Sequence, residues 1–305
     1  MLGRDHALSG AVVFAALAPS LHVTVAHLAA GVAIGAGAGV LPDIDHPDST
    51  ISRSFGFLTE WFAWVVNKLS GGHRHGTHSI IGIVVFTAGA YGAGLLQLSE
   101  PKAATGHLVF SWDIVPAALV LALLYSSALR ALHIGGHYGD LIGIAAALAT
   151  CFTGADLARL TVGSWHLPLL AVATALGCAA HIAGDELTHG GCPLFWPGSM
   201  HEFHLLPRPL QITTAKLGET WIIFPLLIAG LAVALWHATG HPLAIPQPSK
   251  LLNCYFMLSW SRPPSSVGTA SADAALSLAA RAALGSRATA RRRLAQKPAA
   301  GSFRS

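Results

Sequence analysis

Between Asp5 and Asp43 the chain carries no formal charge, and that gap constrains the fold more than any other feature. An apolar helix of ~20 residues crosses the hydrocarbon of a bilayer, whereas each ionised side chain at its centre costs a few kcal/mol. The gap accommodates two short passes, 7–19 and 21–41, with Pro19 and Ser20 at the turn. Further apolar stretches lie at 79–98, 114–132, 141–157, 167–184 and 220–238, several of them rich in the Gly and Ala that let helices approach closely in lipid. Only 10% of residues are charged and 53% are hydrophobic, where a soluble domain runs near a quarter charged. The fold class that follows is all-α, a multi-pass transmembrane helical bundle of about 5–7 hydrophobic segments. Residues 1–20 also admit a signal-peptide reading through Ala16-Leu17-Ala18, against which Asp5 interrupts the basic n-region.

Passes counted from the N-terminus return the chain to its starting side at 42–78, 133–140 and 185–219, so the polar motifs are expected on one membrane face. Arg4, Arg53, Lys68, Arg74, Arg208 and Lys216 lie on that face, whereas the opposite loops hold little beyond Lys102 and Arg159. Lys and Arg accumulate on the cytoplasmic side, which turns the motif face towards the cytoplasm. A seventh pass would put the C-terminus on the other side. The membrane-embedded domain is expected over 1–241, followed at 242–305 by a Pro-, Ser-, Ala- and Arg-rich tail of disordered composition. From Arg262 onward eight basic residues face Asp273 alone, while the preceding part is net −3. The Arg291-Arg292-Arg293 run reads as a solvated tail that can touch anionic lipid; no nucleic-acid partner is expected. The four cysteines, Cys151, Cys178, Cys192 and Cys254, form no CxxC pair and read as small buried hydrophobes.

Histidine is the second anomaly: 17 residues against 18 Lys and Arg, all before Pro242. In a lipid-soluble chain that density points to metal or proton chemistry. Three constellations concentrate it. Leu41-Pro42-Asp43-Ile44-Asp45-His46-Pro47-Asp48 sets carboxylates and an imidazole at the mouth of an apolar span, where a cation would offset their repulsion and alternating Asp43 and Asp45 can address one ion. A solvated acidic turn accounts for this motif equally well. Gly72-His73-Arg74-His75-Gly76-Thr77-His78-Ser79 offers imidazoles to a transition metal and a guanidinium to an anion; a polar juxtamembrane loop is its bland alternative. His181 and Asp185 stand four apart, so a helix presents both from one face, at the end of a long uncharged stretch. Such pairs are often structural. The i,i+4 pair His133 and His137 with Asp140, and His201 and His204, rank lower, while His6 beside the first span belongs to the motif face.

Taken in order, these motifs resemble the YdjM-like family of bacterial inner-membrane, metal-dependent hydrolases of the LexA-regulated type. The residues that carry the resemblance are Asp5-His6 with Ser9-Gly10, Leu41-Pro42-Asp43-Ile44-Asp45-His46 with Ser49 to Arg53, and His73-Arg74 with Thr77-His78-Ser79. His181 with Asp185, Leu187-Thr188, Gly191-Cys192-Pro193 and Trp196-Pro197 complete the set, which reaches from the N-terminus to about Trp236. The resemblance implies a metal site drawn from Asp43, Asp45, His46, His78, His181 and Asp185, with His6 and His73 next, in an integral protein of the bacterial cytoplasmic (inner) membrane. His75, Glu186 and His189 are additions to the pattern.

The function expected is a membrane-bound metal-dependent hydrolase holding one or two divalent ions, zinc first, and activating water against an ester, with a phosphoester the first guess. His73, Asp48 or Glu186 would accept the water's proton and Arg74 would hold a substrate oxygen. The partners expected are the lipid bilayer and a small-molecule or lipid substrate. A divalent-metal transporter or channel uses the same residue types but distributes them through the spans, and a metal-stapled structural protein would leave no open coordination position. The H-E-x-x-H signature of zinc proteases is absent.

Overall fold

The computed structural model describes residues 1–98, 112, 114–153, 159–162 and 165–241; the tail expected at 242–305 falls outside them. Among the described residues, eight α-helices follow one another: α1 (Gly3–Leu17), α2 (Val25–Ala38), α3 (Phe57–Ser70), α4 (Ile80–Leu98), α5 (Ile114–Ala131), α6 (Gly139–Thr153), α7 (Leu169–Glu186) and α8 (Phe224–Ala238). One antiparallel hairpin, β1 (Arg159–Val162) with β2 (Trp165–Pro168), precedes α7. The helical bundle is as expected; α3 and β1 have no counterpart among the apolar segments, and β2 overlaps only the start of the one expected at 167–184.

Val25–Asp45, Ile114–Ala131, Leu169–Glu186 and Glu219–Ala238 are long and apolar enough to cross a membrane, and Ile80–Leu96 is shorter. The segments expected at 7–19 and 141–157 belong to helices of 15 residues each, ~22 Å at 1.5 Å per residue against ~30 Å of hydrocarbon. α1 stops because a tighter turn with Pro19 in it, Ala18–Leu21, ends on His22 in the left-handed region at φ 51°. α2 then starts on a reciprocal cap: the Thr24 hydroxyl accepts from the His27 N–H at 3.2 Å, and His27 Nδ1 accepts from the Thr24 N–H at 3.4 Å.

α1, α2 and α7 pack on one another, α5 and α4 flank them, and α8 lies against α1. Small residues set the approach. A Cβ added to Gly10 would run into the Gly35 carbonyl, one on Gly177 into Ala38, and one on Gly39 into the His6 carbonyl, the close backbone contact that lipid-embedded helices rely on. Phe14, Ile34, Leu121, Leu124 and Cys178 fill the space between them. Val84, Val85, Leu119, Leu141 and Leu226 point outwards and are more than half exposed, a surface suited to acyl chains rather than water. The start of α1, the end of α2, the loop before α4 and the end of α7 meet at one end of this bundle.

Candidate metal centre

α2 runs into a tight turn, Leu41–Asp45, with Pro42 in its first turn. At three residues per turn, side chains two apart diverge by about 120°. Asp43 and Asp45 therefore address different neighbours rather than one ion as their alternation suggests. Asp45 is fully buried and its carboxylate is saturated with donors: the His73 ring at Nδ1 (2.9 Å), the Arg74 backbone N–H (3.2 Å) and the Thr77 hydroxyl (2.6 Å). It is the anchor of the 73–78 loop, fixed from behind by the Asn67 amide, which donates to the Asp45 carbonyl at 2.7 Å. The His73 pKa reflects this anchorage: burial lowers it, but the hydrogen bond and charge of Asp45, helped by Asp43, outweigh burial and leave it raised.

Asp43 faces two buried imidazoles. His181 Nδ1 lies 2.7 Å from the Gly39 carbonyl; a carbonyl only accepts, so the proton sits on Nδ1 and the Nε2 of the neutral ring is a bare lone pair. His78 reaches the same state by another route. The Thr77 hydroxyl gives its proton to Asp45, so its oxygen accepts from His78 Nδ1 at 3.0 Å, leaving His78 Nε2 unprotonated. These two nitrogens face each other at 3.1 Å. Asp43 Oδ1 lies 3.4 Å from His78 Nε2 and 3.7 Å from His181 Nε2, and Asp185 Oδ2 lies 3.7 Å from each. Asp43 and Asp185 thus each approach both bare nitrogens, and Asp185 Oδ2, though buried, has no hydrogen-bond partner. Ligand atoms held tetrahedrally at ~2.0–2.1 Å from an ion stand about 3.3 Å apart, which is the scale of the separations within Asp43, His78 and His181. The donor set fits a divalent cation.

Around this point, His6 stacks on His181 with ring centroids 3.8 Å apart and directs Nε2 to Asp185 Oδ1 at 3.2 Å. The Met1 ammonium reaches the same oxygen at 2.8 Å, and Arg74 Nη2 lies 3.3 Å from Asp185 Oδ2. The Arg74 guanidinium rests against Gly190, where a Cβ would collide with it. The ligand-atom groups able to hold an ion are His6/His181/Asp185, Asp43/His78/His181 and Asp45/His73/His78; they interlock through the two facing imidazoles, His78 and His181.

The remaining candidates lie apart from the convergence. His46 packs its ring edge-on against His73 at 4.7 Å but turns Nδ1 back to accept from the Asp48 N–H. Asp48 is 69% exposed and paired with Arg53. Glu186 is buried with Oε1 unpartnered, and belongs to none of the three groups. His133, His137, His189, His201 and His204 are exposed, and Asp140 pairs with Arg130 instead of a histidine. The Gly191-Cys192-Pro193 and Trp196-Pro197 motifs serve as a brace: the Ile80 N–H donates to the Leu194 carbonyl at 3.0 Å, and the Trp196 indole lies over Gly71 and Gly76. Cys192 is fully buried there, which pushes its thiol pKa up.

Sequence reasoning gave no role to Thr77, the Gly39 carbonyl, Asn67 or the Met1 amine, because each acts through a contact across the fold. Thr77 alone carried a signal, as a hydroxyl between two histidines. Among known proteins, the family described as YdjM inner membrane protein matches the chain over residues 1–260. No curated protein and no solved structure matches it.

Proposed function

The chain belongs to the YdjM inner membrane protein family, and from that premise we propose that it is a membrane-bound metal-dependent hydrolase. The observation that carries this reading is the pair of imidazole Nε2 atoms facing each other at 3.1 Å beside two carboxylates. His78, His181, Asp43 and Asp185 would hold the cation, zinc being the borderline ion that imidazole and carboxylate suit. Asp45, His73 and His78 also stand close enough to group, but their facing atoms are already engaged in hydrogen bonds, so through these atoms they position rather than ligate. When bound, such an ion lowers the pKa of a water and polarises a scissile ester.

The chain's own groups supply the rest. Asp45 keeps the His73 proton on Nδ1, so His73 Nε2 is free to take a proton and return it to a leaving group. The raised His73 pKa suits that exchange near neutral pH. Arg74 balances Asp185 and, being 31% exposed, has N–H groups left for an anionic substrate oxygen. A phosphoester is the substrate class that a guanidinium beside a divalent ion fits best. Asp45 acts here as the residue that orients His73, and Asp43 takes the ligand role.

The test is hydrolysis of chromogenic phosphomonoesters, phosphodiesters and carboxyesters by detergent-purified protein loaded with zinc or manganese. Turnover of one class is expected, abolished in His181→Ala and lowered mainly in kcat in His73→Gln. Stoichiometric metal without turnover of any class would contradict the hydrolase assignment and leave a transported or structural ion.

A further inference from the structure

α3 carries a broad apolar face. Thr59, Ala63 and Ser70 form its inner face, buried against the protein. Its outer face carries Phe57, Leu58, Trp61, Phe62, Trp64 and Leu69, each 47–80% exposed. At 100° per residue these side chains cover an arc of about 160°, interrupted by Lys68 near the helix end. In water such an arc is a large exposed apolar patch that a stable protein avoids.

Three observations say what covers it. The helix has 14 residues, ~21 Å, too short to cross ~30 Å of hydrocarbon. It lies between the end of the candidate span Val25–Asp45 and the start of the shorter apolar helix α4 at Ile80. It is also tied to the first of these by the Asn67 to Asp45 hydrogen bond, so it stands at the height where the spans leave the bilayer. Finally, two tryptophans and two phenylalanines with a lysine whose stem can lie along them make the composition that settles at the headgroup boundary.

We propose that α3 lies in the plane of the membrane interface, with the Trp61 and Trp64 face sunk to the headgroup–acyl boundary, and that through Asn67 it holds the Asp45 turn and the metal centre at that depth. The partner is the lipid of the leaflet itself. This placement depends on membrane insertion alone and stands whether or not the centre hydrolyses anything.

The test uses the full chain reconstituted in phosphatidylcholine nanodiscs whose lipids are brominated either near the glycerol backbone or near the acyl terminus. Subtracting the fluorescence of Trp61→Phe and Trp64→Phe from wild type isolates the two indoles. Their emission is expected to fall several-fold more with the shallow than with the deep bromines, and to resist aqueous iodide. Quenching by iodide with none from lipid would mean a solvated face, and quenching by neither would mean a face covered by protein; either overturns the proposal. A nitroxide on Leu58→Cys gives the same depth from its oxygen and nickel-chelate accessibilities, with no tryptophan removed.

Discussion

Asp45→Asn separates holding a metal from orienting a base. The carboxylate accepts from His73, Arg74 N–H and Thr77 at 2.6–3.2 Å in a fully buried setting. Hydrogen bonds to a charged group contribute about 1.5–3 kcal/mol and neutral ones about 0.5–1.5. The amide oxygen can retain Arg74 and Thr77 as neutral bonds, at a loss of ~1 kcal/mol each. Its N–H₂ then meets His73 Nδ1, which must give up its proton and accept, so the ring proton moves to Nε2. Thermal or urea unfolding should therefore register a loss of about 2–3 kcal/mol. Hydrolysis should fall by ~10²–10⁴ because the ring presents the wrong tautomer, while bound metal measured by elemental analysis stays near the wild-type value. Linkage adds a third readout in metal-free protein. The folded His73 pKa lies above its unfolded value of about 6.5, so the wild-type increment is full below that pH and is lost as pH rises through the folded pKa. That slope should flatten in Asp45→Asn. Loss of metal in the variant, or unchanged turnover with metal retained, would refute the division of labour between Asp43 and Asp45.

Gly39→Ala puts a Cβ onto the His6 carbonyl and is expected to cost about 1–3 kcal/mol by overpacking, with metal affinity falling as the His181 to Gly39 bond shifts. Gly89→Ala in α4 meets nothing within 4 Å and should be neutral or stabilising by up to about 1 kcal/mol in differential scanning measurements. Cys192, buried with its pKa pushed up, should escape maleimide in folded protein and react on unfolding, as peptide mapping would show; rapid native labelling would mean that the brace over the 73–78 loop opens.

The long uncharged stretches led directly to α2, α5, α7 and α8, because hydrocarbon imposes length and composition together. α3 escaped notice since its 14 residues are too few for a span and its tryptophans, lysine and glutamate blur the apolar count. The hairpin at Arg159–Pro168 likewise sits where a span was expected to begin at 167, and Pro168 delays α7 to Leu169. For the centre, the i,i+4 geometry made His181 and Asp185 legible from spacing alone. Asp43 and Asp45 could not be told apart, because their divergence depends on a tight turn, Leu41–Asp45, that Pro42 favours but the residue types do not dictate. Nor could spacing reveal that a glycine carbonyl and a threonine hydroxyl set the tautomers of His181 and His78, since both contacts require the fold to exist.

The centre itself is tested most directly by elemental analysis of protein purified in detergent, wild type beside His78→Ala and His181→Ala, each verified as folded by gel filtration. One or two equivalents of a divalent metal in the wild type, lost in both variants, is the expected result and joins two motifs 103 residues apart in one site. Metal absent from the wild type after loading with zinc, or present undiminished in both variants, would contradict the assignment of the facing imidazoles as its ligands.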